Sequence, residues 1–292
     1  MSVEPFTVDN AGNTCYIDSL LMGLFYHNTH IERLLNKDIK NTLGLYIQEY
    51  IKENFINLVR KNKSVVASDM EMFRILVFQA GWRKNSNLPD EEMNQQDVNE
   101  FYIFLMDILE NDKIEIIRRT ITEGMVSDND VGIKELLPFI PLSLPENDTK
   151  ITVKEMIHNW LYNNVIDVTR KVDSDKEKMI KGLATFNLIN MPQIIALSIN
   201  RFNNIGIRID TSVIIQKKIC INTSEWVFHA AICHRGNSLT SGHYYTLISV
   251  NNTKWYMFND MDVPCMKEVG MDDPDVTNLI KQECVFLIYR LL

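Results

Sequence analysis

Three observations predict an α+β fold for this chain. Helical periodicity dominates up to about residue 113, short β-rich runs dominate after it, and the two kinds of element do not alternate as βαβ units require. The 292 residues are 46% hydrophobic and 23% charged, an ordinary globular composition that buries a core without disulfides. One unit spanning 1–292 is expected, with a helical lobe over about 1–113 and a β-rich lobe over about 114–292.

After Cys15, the residues Leu20, Leu21, Leu24 and Phe25 share one face of an amphipathic helix. Leu43, Tyr46, Ile47, Tyr50 and Ile51 give a second core face in a helix over about Leu43 to Val59. The capping-box pattern Ser68-Asp-Met-Glu71 opens a third helix running to about Phe78, before a loop at Asn85-Ser-Asn-Leu-Pro89. A fourth runs from about Gln95 to Glu110 with Val98, Phe101, Leu105 and Ile108 inward. Glu123 to Lys134 reads as a loop, and Leu136 to Leu144 as an extended segment. Thr152-Val-Lys-Glu155 is a second capping box, opening a helix to about Tyr162. Strands are expected over Gln193–Phe202, Trp226–Cys233, Tyr244–Val250, Lys254–Phe258 and Cys284–Leu291, with a turn at Asn251-Asn-Thr.

The net charge of -8 argues against nucleic acid as the main partner and suits a basic one. Five cysteines, an odd count with no secretory signal before them, read as reduced thiols in a cytoplasmic or nuclear compartment. No run has the length of a membrane-spanning helix, and the first residues are neither basic nor apolar enough for a targeting peptide.

The chemistry centres on Cys15, within Asn10-Ala-Gly-Asn-Thr-Cys15-Tyr-Ile-Asp18-Ser19. A lone cysteine is most often a small buried hydrophobe. This one sits where a Gly-Asn-Thr loop turns into a helix, whose unpaired N–H groups favour a thiolate, and Gly12 allows close backbone approach. His243 opens a strand directly after the Gly/Ser loop 236–242, well placed for acid–base work on a thiol. His229 and His234 compete with it but read as structural. Asn259 and Asp260 follow the strand Lys254–Phe258, which a hairpin brings beside His243, although Asn-Asp after a strand is also common turn chemistry. Asn10 is placed to supply an oxyanion amide alongside the Cys15 N–H. Asp97 and Glu100, three apart on one helix face, complement a helix dipole or form a paired grip on a substrate arginine.

Taken together, these segments resemble the ubiquitin-specific protease family of deubiquitinating cysteine peptidases. Asn10 to Ser19 is similar to its Cys box, Asn-x-Gly-Asn-Thr-Cys-Tyr-x-Asn-Ser, and Gln95-Gln-Asp97-Val-Asn-Glu100-Phe to its Gln-Gln-Asp-x-x-Glu-Phe motif. Pro138-Phe with Leu142-Ser-Leu144, Met191 to Phe202, Ala231 to Gly236, Ser241-Gly-His243-Tyr244 and Trp255 to Asp260 resemble further blocks in the family order. The resemblance implies a papain-like fold with a helical thumb, a β-rich palm and reduced fingers, acting as a thiol isopeptidase on ubiquitin attached to proteins or in chains. It implies Cys15 as nucleophile, His243 as base, Asn259 as its orienting residue, Asn10 as oxyanion donor and Asp260 as an assisting acid. Asp97 and Glu100 fall at positions that contact the arginine-bearing ubiquitin tail, and Tyr244 at an aromatic walling the narrow Gly-Gly channel. Ubiquitin and ubiquitinated proteins are the implied partners, and a monomer is expected. Two other readings stand beside it: a catalytically silent ubiquitin-binding protein, and a protease for another ubiquitin-like modifier.

The chain departs from the pattern at Asp18, where the family has asparagine. A carboxylate facing the sulfur works against a thiolate, and one facing away complements the helix start. No Cys-x-x-Cys occurs, so neither structural zinc nor any other cofactor is expected. The span from Glu110 to Pro138 is short for a finger insertion. A minimal, Asn- and Ile-rich chain suits a viral or parasite protein working in a host cell.

Overall fold

The computed structural model describes residues 6–83, 93–122, 125–126, 132–145, 148–173, 176–203, 205–238, 241–250, 253–270 and 273–292. The expected loop at 85–89 and the turn at 251–252 lie outside them.

Helix α1 (Cys15–Phe25) is buried along all eleven residues, Asp18 and Ser19 included, rather than along one stripe. It is covered by the sheet on one side and by other helices on the other, so its sequence has no polar face to show. Gly23 lets it lie close to the sheet, since a Cβ there would meet Thr246 Cγ2 at 3.3 Å, and Thr246 Oγ1 donates to Ser19 O at 2.9 Å. After the short α2 (Thr29–Glu32), the expected 43–59 helix forms as α3 (Thr42–Ile51), a π turn (Lys52–Ile56) and α4 (Asn57–Arg60). Its inner face is rotated from the expected one. Gly44, Ile47, Gln48 and Ile51 are buried, whereas Leu43 and Tyr46 are exposed. The cause is Gly44, which presses so closely on the Ile108 carbonyl that a Cβ would sit 2.6 Å from it.

Helix α5 (Ala67–Gln79) starts before the expected cap. Val66 occupies the N-cap position, and its N–H donates to Asp69 Oδ2 at 3.4 Å, so Ser68 lies inside the first turn. Helix α6 (Val98–Ile108) starts three residues later than expected, because Asp97 Oδ1 takes the N–H groups of Asn99 (2.7 Å) and Glu100 (3.1 Å) and fixes the start there. Gln95 and Gln96 are thereby left outside the helix. The inward residues Val98, Phe101, Leu105 and Ile108 are all buried as expected.

The strands form three sheets. Strands β1 (Ile114–Thr122), β2 (Met125–Val126) and β3 (Ile133–Leu137) belong to one of five strands. This corrects the loop expected over 123–134, where only 123–124 and 127–131 lie outside the described residues. Strand β4 (Ile140–Ser143) belongs to the large sheet, and β5 (Lys150–Thr152) leads into α7 (Val153–Tyr162). The capping box of α7 is as expected, with Glu155 N donating to Thr152 Oγ1 at 3.1 Å and Thr152 N to Glu155 Oε2 at 2.8 Å. The hairpin β6 (Asn164–Asp173) and β7 (Lys176–Leu188) completes the five-stranded sheet in the order β2-β1-β7-β6 with β3 on β1. One face of β7 is buried, with Gly182, Ala184 and Leu188 inward and Phe186 stacked on Trp160 of α7, while the other face of the hairpin stays open. Val165 is 64% and Met179 67% exposed.

The large sheet continues with β8 (Ile194–Asn200), β10 (Lys218–Ile221), β11 (Ser224–Arg235), β12 (His243–Val250), β13 (Lys254–Phe258), β14 (Met266–Val269) and β15 (Cys284–Leu291). Its order is β14-β13-β12-β11-β15-β8-β4, with β10 on β11. The short β9 (Ser212–Ile214) pairs with β5, and α8 (Pro274–Glu283) precedes β15. The five runs expected as strands all pair here. Both faces of this sheet are covered, which explains their nearly continuous apolar character. In β11, Trp226, Phe228, Ala231 and Cys233 enter one core while Ala230 and Ile232 enter the other. A register shift between Phe228 and Ala230 changes the phase at His229.

Arg201 joins the ends of this architecture. Its buried guanidinium donates to the carbonyls of Cys284 (2.8 Å), Thr211 (3.0 Å) and Lys281 (2.7 Å). Arg201→Met leaves those acceptors without their charged donor, and is expected to lower stability by about 3 kcal/mol, read as the urea midpoint at unchanged slope. A change under about 0.5 kcal/mol, the range of an ordinary surface substitution, contradicts this account of Arg201. Among the described residues, no helix is long and apolar enough to cross a membrane.

Candidate active site

Asn13 (φ +59°) and Gly12 (φ +76°) turn the chain sharply before Cys15, the first residue of α1. A Cβ on Gly12 would meet nothing within 4 Å. It is the left-handed backbone, and not the close approach expected from the sequence, that calls for glycine here. Arg74 of α5 holds the turn by donating to the Gly12 carbonyl at 2.7 Å.

The Cys15 sulfur is buried between the two lobes, and three segments meet there. Gln95 Nε2 donates to the sulfur at 3.2 Å and to the Gly242 carbonyl at 3.0 Å. The backbone of Tyr244 faces the sulfur from the palm side and favours its ionised form. The residue before Tyr244 is His243, the first of β12. Antiparallel pairing of β12 with β13, Thr246 opposite Phe258, brings Asn259 beside the imidazole, as the expected hairpin requires. His243 Nε2 lies 2.7 Å from Asn259 Oδ1 and 3.4 Å from Asp260 Oδ1. An amide oxygen only accepts, so Nε2 carries the hydrogen, and Nδ1 is left as the ring's basic nitrogen. Asn259 is held in turn, its Oδ1 accepting from Met261 N at 3.1 Å and its own N–H bonding Cys265 O at 2.9 Å.

Behind this pair, Asp260 Oδ2 accepts from Asn10 Nδ2 at 2.8 Å. The Asn10 amide is thus given to a carboxylate, and the side-chain amide at the sulfur is that of Gln95. From sequence, Gln95 is only one residue of the Gln-Gln-Asp97 run, with no chemistry of its own. The signal that finds it is the pair of glutamines just ahead of a strong N-cap, which holds them outside the helix. Asp18 faces neither the sulfur alone nor solvent. It is fully buried, accepts from Thr14 Oγ1 at 2.9 Å and lies close to Asp260, with the Oδ1 atom of each carboxyl left without a hydrogen-bond partner.

The electrostatics correct one expectation. Burial pushes the Cys15 thiol up to about 11, with Asp260 and Asp18 adding to the rise, while the Tyr244 backbone and Gln95 oppose it. The helix start does not outweigh desolvation, so the sulfur rests as a thiol. Alkylation of Cys15 by iodoacetamide is therefore expected to accelerate about tenfold per pH unit from pH 7 to 10, as the thiolate fraction grows. A rate already on a plateau below pH 8 is the contrary result.

The remaining residues line the approach. Tyr244 is buried, packs at a tilt against His234 with ring centroids 4.6 Å apart, and sets its hydroxyl against the backbone of Val98, linking the palm to the start of α6. Asp97 and Tyr244 line a cleft of about 180 Å³ together with Asn200, Arg201 and His234. Glu100 forms an ion pair with Arg83, so its carboxylate already grips an arginine of the same chain. His229 and His234, read as structural, are buried in β11, and burial lowers them to about 3 and about 4. A larger cleft, about 690 Å³ between Lys150, Lys154, His158 and Cys220, contains none of the candidate residues, so size does not locate the site.

Comparison with known proteins agrees with this architecture. The model of the family described as ubiquitin carboxyl-terminal hydrolase matches residues 7–289. The chain belongs to that family. Among its relatives, ubiquitin carboxyl-terminal hydrolase 25 of Arabidopsis thaliana is 20% identical, with 88% of this chain and 44% of that protein covered. Ubiquitin carboxyl-terminal hydrolase 15 of Schizosaccharomyces pombe is 26% identical, with 90% of this chain and 25% of that protein covered. The chain thus spans less than half the length of those curated relatives. Among solved structures, a SAGA DUB module of Ubp8, Sgf11, Sus1 and Sgf73 bound to monoubiquitin superposes with a TM-score of 0.70 at 14% identity, covering 100% of this chain and 70% of that one. The same module bound to ubiquitin aldehyde gives 0.67 at 14% identity, covering 98% and 69%. At that identity the likeness establishes the fold, a helical lobe packed against a β-rich one.

Proposed function

We propose that the protein is a thiol hydrolase cleaving the bond after the C-terminal glycine of ubiquitin on proteins or in ubiquitin chains. The observation that carries this is the sulfur of Cys15, clasped by the Gln95 amide and the Tyr244 backbone, one residue from an imidazole oriented by Asn259 at 2.7 Å. His243 Nδ1 takes the thiol proton as the sulfur attacks the glycine carbonyl. The oxyanion that forms is met by the Gln95 amide and by the Cys15 N–H, which has no acceptor within its own helix. In this reading Asn10, expected as the oxyanion donor, instead positions Asp260, whose charge supports the imidazolium. His243 then protonates the departing lysine amine, and water hydrolyses the thioester.

The cleft lined by Asp97 and Tyr244 takes the basic tail of ubiquitin. Glu100 joins that grip only when it exchanges Arg83 for a substrate arginine. The net charge of -8 has the sign that steers a basic tail inward. The protein acts as a monomer in a reducing compartment, without metal or other cofactor.

A silent ubiquitin-binding protein is the second reading, favoured by a thiol pushed up to about 11. Hydrolysis of ubiquitin carrying a C-terminal fluorogenic amide separates the two. Turnover is expected, whereas binding of ubiquitin with no turnover supports the silent reading. Turnover only of the matching substrate built on another ubiquitin-like modifier would transfer the same chemistry to that modifier.

A further inference from the structure

Asp18 replaces an asparagine of the family pattern, and its surroundings demand a particular chemical form of it. Its side chain is wholly enclosed, one turn into α1, with Oδ2 accepting from Thr14 Oγ1 at 2.9 Å. Asp260, whose side chain is equally enclosed, reaches it from the palm. Ionised carboxylates only accept hydrogen bonds. With both ionised, the Oδ1 atoms of Asp18 and of Asp260 are left with no hydrogen-bond partner, and two like charges share a dry interior. A single proton removes both costs. An asparagine offers an amide N–H at this point, but an aspartate offers a donor only when protonated.

We propose that Asp18 is a positioning residue held as a neutral carboxylic acid, and that it donates its hydrogen to Asp260 to fix that carboxylate beside His243 Nε2. The proton belongs on Asp18 and not on its partner. Asp18 has nothing else but the Thr14 hydroxyl, whereas Asp260 is favoured in its ionised form by the Asn10 amide at 2.8 Å and by the imidazole at 3.4 Å. Burial, followed by the Asp260 charge, raises Asp18 well above the ordinary carboxyl range; burial raises Asp260 as well, but there Asp18, the His243 charge and the Asn10 amide all oppose the rise. The groups that face the pair are Thr14 at the N-cap of α1, Cys15 and Tyr16 from α1, Arg74 from α5, and His243 with Asn10 around Asp260. Arg74 is the cation opposing the protonation, and its Nη1 is already given to the Gly12 carbonyl. The departure at Asp18 thus preserves a donor in place of disabling the thiol.

The catalytic consequence rests on the proposed function, but the protonation state does not, and the test separates them. Infrared difference spectra of the native protein against Asp18→Asn, near neutral pH, are expected to show the carbonyl stretch of a protonated carboxylic acid that the variant lacks. Absence of that band overturns the proposal, even if ubiquitin amides are hydrolysed. Presence of the band without any hydrolysis leaves the pair standing and removes the proposed function. In the hydrolysis assay, Asp18→Leu, which cannot donate, is expected to lower kcat roughly 10- to 100-fold at little change in KM, the range for groups that orient a catalytic side chain from behind. Asp18→Asn is expected to restore most of that loss. It should also abolish the alkaline fall in activity expected of the native protein as Asp18 ionises against Asp260. An Asn variant as impaired as the Leu variant, with the alkaline limb unchanged, contradicts the proposal.

Discussion

Cys15→Ala is expected to reduce hydrolysis of ubiquitin amides by on the order of 10⁴-fold or more, because no other group reaches the position of the attacking sulfur. The change deletes one buried atom. Gln95 still donates to the Gly242 carbonyl, and only the Tyr244 backbone loses the sulfur as a neighbour. The fold is therefore expected to persist with a loss of about 1 kcal/mol, and the affinity for ubiquitin to remain. His243→Ala should cost a comparable factor in kcat, and the double variant little more than either single one, because a nucleophile and its base act as a unit. Steady-state assays with thermal melts and a ubiquitin titration read all three quantities. Residual activity within tenfold of native in Cys15→Ala would remove the sulfur from the mechanism.

Gln95→Ala is expected to lower kcat by roughly 10²- to 10³-fold with little change in KM, the signature of a donor used mainly as charge develops on the oxyanion. Asn10→Ala tests the competing assignment. Its amide lies on Asp260 at 2.8 Å, so the proposed role predicts a smaller loss together with a change in the pH profile as the imidazolium loses support. If Asn10→Ala costs kcat as a pH-independent factor larger than that of Gln95→Ala, the oxyanion donor is Asn10. The two residues stand on opposite sides of Cys15 in the chain, so the effects are separable.

Much of this site is legible in the sequence, and the parts that are not have physical reasons. The strand Lys254–Phe258 and its hairpin partner are written in β-rich runs, so Asn259 beside His243 follows from pairing alone. The five strands of the palm and the capping box of α7 are equally plain, whereas the box expected at Ser68 falls inside the first turn of α5. What escapes is whatever depends on the other lobe. The thiol of Cys15 looks activated from its helix start, but its protonation is decided by how completely the palm buries it. Asp18 looks either harmful or solvated until Asp260, far away in the chain, is packed against it. Gln95 belongs to a helical run by periodicity, and only the Asp97 cap takes it out and lets it reach the sulfur. In the fingers, β7 buries Gly182 and Ala184, whose small size gives little of the apolar alternation that marks a strand, while Leu183 between them is exposed. The rotated face of α3 is set by a glycine against a distant carbonyl.

The most direct test of the central claim is to incubate the protein with ubiquitin bearing a thiol-reactive electrophile in place of its last glycine, and then to map the adduct by peptide mass spectrometry. The protein has five cysteines, of which Cys220 is the exposed one and Cys15, Cys233, Cys265 and Cys284 are buried. The account predicts a single ubiquitin adduct on Cys15, formed despite its burial and lost in His243→Ala. An adduct on Cys220 instead, or none while ubiquitin still binds, would contradict it.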